Sequence, residues 1–181
     1  MRLPDVIATH RLRGRRMTQG DLPYLIETDS DPAIQMPIFG RVHTPDESQA
    51  RMQRWLDVDR EHGLGFYLFN APGAERIGHA GLFPSKMSPG DVEVGYALKP
   101  AFWGCGYATE MTLAFLHLAF ETLRVERVIG VTRSKNTGSR HVMEKAGMLF
   151  DAPLDAGSAG PAVRYAIDRE RFCLRNATHS A

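Results

Sequence analysis

The chain has 181 residues, a length that makes one domain and buries enough surface to fold without disulfides or a structural metal. Apolar residues at 43% and charged residues at 24% exclude a disordered chain, and a net charge of +1 supplies no bulk field for nucleic acid or anionic lipid. Cys105 and Cys173 are too few for a disulfide framework and lack metal-ligand spacing, so no metal is expected.

The N-terminal segment lacks the apolar stretch of a signal peptide. The most apolar run, Met111 to Phe120, is too short to span a bilayer and contains His117. A cytoplasmic protein without a membrane or nucleic-acid partner is therefore expected. An Arg-rich stretch, Thr9 to Met17, predicts an edge strand, and Thr18 with Asp21 starts a helix striped by Leu22, Leu25 and Ile26. Asp29 to His43, with Pro32, Pro37 and Gly40, reads as loop. Thr44-Pro45-Asp46-Glu47 opens a second helix that runs to about His62.

Gly65 to Asn70 and Arg76 to Phe83 form a hairpin about Ala71-Pro72-Gly73-Ala74, and Asp91 to Leu98 is a third strand stopped by Pro100. Gly106 to Leu123 predicts a helix buried on most sides. Val125 to Thr132 is a strand, Asn136 to Ala146 a helix closed by Gly147, and Val163 to Asp168 the last strand. This order describes an α/β domain on a mixed, mostly antiparallel sheet flanked by about four helices.

Chemistry concentrates between Asp91 and Glu110. There a strand runs into a turn containing Gly104 and Gly106 and then into a helix. Glycines at such a turn let successive N–H groups point into one concavity at the positive end of the helix dipole, an arrangement suited to a phosphate. A plain tight connection explains the same glycines. The pattern is neither a Walker loop nor GxGxxG, since Thr109 stands where the third glycine would be.

Three ordered stretches resemble the GNAT superfamily of N-acetyltransferases, and within it the Rim-type branch that acts on ribosomal-protein N-termini. They are Thr9 to Asp21, Glu93 to Glu110 with its Trp103-Gly-Cys-Gly-Tyr-Ala108 loop, and Val128 to Gly147. The likeness spans roughly residues 7 to 172 and leaves a short tail, 173 to 181. It implies a GNAT fold, in which two central strands splay into a V, and acetyl-CoA as co-substrate. Tyr96, Ala97 and Leu98 would pair with the pantetheine arm. Trp103, Gly104, Cys105, Gly106, Tyr107, Ala108 and Thr109 would hold the pyrophosphate, and Asn136 would form the opposite wall. The implied reaction moves an acetyl group to a primary amine by direct attack in a ternary complex. The acceptor is a protein N-terminus or a small-molecule amine, and a homodimer is expected because that is the commonest assembly.

Glu93 is the candidate base and Ser139 the candidate proton donor to the leaving thiolate; Met143 stands where many members carry a tyrosine. That replacement leaves a second reading, an acyl-CoA-binding module without catalysis. Alternation places Glu93 with Asp91, Gly95 and Ala97 on one strand face, where a solvated side chain is the plainer reading. Gly14 interrupts the first strand and suggests a bulge or fraying. His79 reads as a packed or surface residue, and His117 and His141 lack metal-pair spacing. The Asp151 to Ala162 stretch reads as a mobile loop bordering the acceptor, whose Asp151 and Asp155 could meet a cation.

Overall fold

Two short strands, β1 (Val6–Ala8) and β2 (Arg13–Arg16), open the chain and pair antiparallel. The structure, a computed structural model, describes residues 1–155, 157 and 160–179. A single 3₁₀ turn, held by the Thr18 N–H donating to Asp21 Oδ2 at 2.9 Å, leads into α1 (Leu22–Ser30). Then come α2 (Pro32–Phe39), α3 (Pro45–His62), β3 (Gly65–Ala71), β4 (Ala74–Pro84), β5 (Val92–Leu98) and α4 (Tyr107–His117). The chain closes with β6 (Arg127–Arg133), α5 (Thr137–Lys145), β7 (Leu149–Asp155), β8 (Pro161–Asp168) and α6 (Arg169–His179).

The eight strands form one sheet in the order β1-β2-β3-β4-β5-β6-β8-β7. Every neighbouring pair is antiparallel except β5 with β6. One face is covered by α4, α5 and α6, which bring Phe115, Met143 and Phe172 into the larger core. The other carries Tyr24 and Leu25 of α1 and Met52 of α3 over Phe66 and Leu68. Each face removes a row of large apolar side chains from water, at about 1.5–3 kcal/mol for each fully buried Leu or Phe. Among the described residues no helix is long and apolar enough to cross a membrane.

The single parallel pairing positions the site. β5 and β6 are in register only at Val92↔Val128 and Glu93↔Ile129. From Val94 and Gly130 onward the strands part, so a V opens between them with backbone groups on its inner walls.

Several expectations need correction. The stretch read as loop from Asp29 to His43 contains α2, whose start Asp31 caps by accepting the Ala33 N–H at 2.8 Å. Pro32 takes the first turn, where no N–H is needed, and Pro37 falls near the end, so a helix this short tolerates both. Residues 151–155 are strand β7, and 156, 158 and 159 lie outside the described residues. Residues 173–179, taken as a tail, continue α6. With α2 and α6 the described residues hold six α-helices, not about four. The long helix from Gly106 ends as α4 at His117 and goes on as a π turn, Leu118–Thr122. Gly14 is neither bulged nor frayed: it pairs regularly with Ile7 and Phe69, and a Cβ there would fall 2.6 Å from the Phe69 ring.

Candidate active site

Glu93 sits at the base of the V, paired with Phe83 of β4 on one side and Ile129 of β6 on the other. It is mostly buried, and burial pushes its carboxyl up from 4.5 to about 7, against the hydrogen bond from Ser85, which pulls it down. The Ser85 hydroxyl donates to Glu93 Oε2 at 2.9 Å while accepting the Met87 and Ser88 N–H groups, both at 3.2 Å. Those two donors leave its proton free for the carboxylate. Glu93 is thus a desolvated carboxyl poised at neutral pH, not a solvated strand residue. Ser85 was not singled out by sequence reading; its signal is the turn-forming pattern Ser85-Lys-Met-Ser88 ahead of a strand.

At the other end of β5 the Trp103 indole donates to Leu98 O at 2.8 Å and folds the turn back on its strand. The Trp103 N–H is committed to Pro100 O at 3.1 Å, so it is not one of the loop's free donors. Gly104 (φ 76°) and Gly106 (φ 80°) both take left-handed conformations that other residues adopt at a cost of about 1–2 kcal/mol. Gly106 is the N-cap of α4, and no side chain caps that end. The N–H groups of the first turn at Tyr107, Ala108 and Thr109 therefore face outward unpaired by the helix, and the dipole adds positive potential. Cys105 lies exposed in the same loop.

A side chain from outside the motif braces this loop. Arg11 donates from Nη1 to Cys105 O at 2.9 Å and from Nε to Glu110 Oε2 at 2.7 Å, and lies 4.7 Å from the Tyr107 ring centre. Thr9 Oγ1 and the Arg11 N–H both donate to Glu110 Oε1, at 2.6 and 2.7 Å. Burial alone would raise the Glu110 carboxyl, but these donors outweigh it and hold it below its usual range.

The facing wall is the start of α5. Asn136 caps it, accepting the Ser139 N–H at 3.1 Å, which leaves its amide N–H₂ free. Tyr96 reaches across from β5: its Oη donates to Ser139 O at 3.0 Å and lies 2.9 Å from Ser139 Oγ. Burial pushes the Tyr96 phenol well above its usual range, so it stays protonated. Met143 is turned away, buried in the core with its sulfur against Gly130. The structure thus joins Tyr96, Ser139 and Asn136 on the α5 side of the V, while Glu93, three residues before Tyr96, points to the opposite face of β5 and Gly104 to Thr109 follow beyond that strand's end.

The remaining candidates lie elsewhere. His79 is buried against Tyr24, Trp55 and Phe66, with its pKa lowered to about 3 by desolvation and by Arg51. His117 packs on Phe172. Among the described residues no group of His, Cys, Asp and Glu could hold a metal.

The sequence profile of the acetyltransferase (GNAT) domain matches residues 11–149. A relative from Aspergillus fumigatus, named FsC-acetyl coenzyme A-N(2)-transacetylase, is 32% identical over 167 residues, covering 82% of this chain and 70% of that one. An acetyltransferase from Agrobacterium tumefaciens superposes with a TM-score of 0.79 at 24% identity, covering 92% of this chain and 95% of the other. RimL, a ribosomal L7/L12 α-N-protein acetyltransferase solved with coenzyme A, gives 0.75 at 17% identity, covering 92% and 99%. A V between β5 and β6, a glycine loop at the start of α4 and a family match over most of the length define an acetyltransferase. The chain belongs to the GNAT family.

Proposed function

We propose that the chain transfers the acetyl group of acetyl-CoA to a primary amine by direct attack in a ternary complex. The observation that carries this reading is Glu93, a largely buried carboxyl raised to about 7 at the base of the V between β5 and β6. A base with a pKa near the working pH is the most effective one. The need for it depends on the acceptor: an α-amine (pKa about 7.8) is roughly 10% free at pH 7, a lysine amine (about 10.4) under ~0.1%.

The residues divide the work. Glu93 takes the proton of the ammonium, directly or through a water. The freed nitrogen attacks the thioester carbonyl carbon, the new C–N bond forms, the C–S bond breaks and its electron pair goes to sulfur. When the Tyr96 proton turns from Ser139 O to Ser139 Oγ, the serine's own proton is released toward the leaving sulfur, to which Ser139 Oγ gives a hydrogen bond and a proton path. Gly104, Cys105, Gly106, Tyr107, Ala108 and Thr109 receive the pyrophosphate on their N–H groups, with Trp103 shaping the turn. The arm of the cofactor adds to the free edge of β5 at Tyr96, Ala97 and Leu98 as an extra strand would, with Asn136 opposite.

The relative from Aspergillus fumigatus supports an amine acceptor by its name. A protein N-terminus and a small-molecule amine both fit, and the same reading has the enzyme in the cytoplasm as a homodimer. Calorimetry with acetyl-CoA tests the first step: micromolar binding is expected, and no heat at millimolar concentration would overturn the assignment.

A further inference from the structure

Segments 29–43 and 151–155 hold four carboxylates, and each has a partner in the structure. Asp29 is fully buried, taking Ser48 Oγ at 2.9 Å and Arg51 Nη1 at 2.5 Å. Asp31 caps α2. Asp151 is clamped between Arg127 at 2.8 Å and Arg164 at 2.5 Å. Asp155 accepts the Gly157 N–H at 3.0 Å. Of the two carboxylates expected to meet a cationic acceptor, Asp151 is thus ion-paired to two arginines, while Asp155 accepts only a backbone N–H.

Arg133 is the opposite case. Paired residues of parallel strands share a face, so Ile129 lies on the Glu93 face, and alternation along β6 puts Val131 and Arg133 there too. The guanidinium of Arg133 lies against the end of α2: a Cβ on Gly40 would fall 1.5 Å from Nη1, and one on Gly160 would be 3.9 Å from Nη2. It thus stands at the rim between α2 and the segment leading into β8. Among the described residues it has no carboxylate within ion-pair distance, and Ala156, Ser158 and Ala159 bring none in sequence. At about 3.3 Å per residue its Cα is ~13 Å up the strand from Ile129, a gap that its long side chain shortens.

A half-buried cation without a carboxylate partner, on the same face of the sheet as Glu93, favours an anion beside it and repels a polycation. We propose that Arg133 selects the acceptor, and that the acceptor is a small amine bearing a carboxylate a few bonds from its nitrogen. This rests on the acetyl-transfer reading and names its substrate class. Arg133 matches a carboxylate with two parallel N–H donors, so the group recognises geometry as well as charge.

The test is thiol release from acetyl-CoA with amines in pairs that differ only in carboxylate against carboxamide, plus a diamine, on the wild type, Arg133→Met and Arg133→Lys. The wild type should prefer the carboxylate about tenfold or more in kcat/KM. Arg133→Met should erase the preference through KM, Arg133→Lys should restore part of it, and acetyl-CoA affinity should not change. A wild type that prefers the carboxamide or the diamine overturns the inference without touching the acetyl-transfer reading. So does an Arg133→Met variant that keeps the preference and only melts lower, since Arg133 would then merely cap α2. Weakened acetyl-CoA binding would overturn it as well, by assigning Arg133 to the cofactor. If acetyl-CoA binds and no amine releases thiol, the acetyl-transfer reading fails and this inference falls with it.

Discussion

Replacing Glu93 by glutamine should slow the enzyme and stabilise the fold, and the stability gain should depend on pH. The carboxyl titrates at about 7 in the folded chain, raised by burial from its ordinary 4.5. Between those values the folded chain keeps a proton that the unfolded chain has lost, so stability falls as pH rises through the window and the full cost persists above it. At 1.36 kcal/mol per pH unit the cost is about 3 kcal/mol. Glutamine carries no charge and retains an oxygen for the Ser85 hydroxyl. The variant should therefore match the wild type near pH 4.5 and exceed it by up to about 3 kcal/mol at pH 8, a Tm gain of about 6–12 °C for a chain of this size. Turnover at pH 7 should drop about 10²-fold and recover partly at high pH, where the amine deprotonates unaided. Melting curves at pH 4.5 to 8 read the first effect and thiol release the second. A Tm difference that does not change with pH would refute the argument from burial.

Ser85→Ala should raise the Glu93 pKa further, moving the acidic limb of kcat/KM from about 7 to a higher pH, as a pH profile will show. Ser139→Ala should cost less than Glu93→Gln, since water can replace a hydroxyl. Tyr96→Phe should lower kcat by about 2–10-fold in the wild type and hardly at all in the Ser139→Ala background, because it acts through that serine; a double-mutant cycle measures this. Gly106→Glu should abolish acetyl-CoA binding in calorimetry, placing a carboxylate at the α4 N-cap, while circular dichroism stays folded. Gly14→Val should cost about 1–3 kcal/mol in urea melts, because its Cβ meets the Phe69 ring.

Legibility followed the range of the interactions. The segment from Glu93 to Glu110 could be read because glycine conformation, a helix start and strand alternation are local and leave marks at fixed spacing. Asn136 and Gly147 were legible for the same reason, as cap and stop of one helix. α2 was missed because two prolines weigh against a helix in sequence, while its stability comes from Asp31 and from packing beside α1 and β6. β7 escaped because an edge strand with Pro153 and scattered polar residues shows no clean alternation; its partner β8 supplies the ladder. Arg11 and Glu110 are about a hundred residues apart, and Tyr96 meets Ser139 only through the splay of β5 and β6. No local pattern announces such pairs. Sequence placed Glu93 on its strand face, but only the fold shows that its carboxyl is largely removed from water.

Amine-dependent release of free thiol from acetyl-CoA tests the central claim most directly. A panel of amino acids, short peptides with free α-amines, and small diamines, assayed at pH 8 with and without the enzyme, should yield thiol that rises with one amine class and falls about 10²-fold at pH 7 with Glu93→Gln. Tight binding of acetyl-CoA with no amine-dependent thiol from any class would contradict the account and leave a protein that holds the cofactor without transferring its acetyl group.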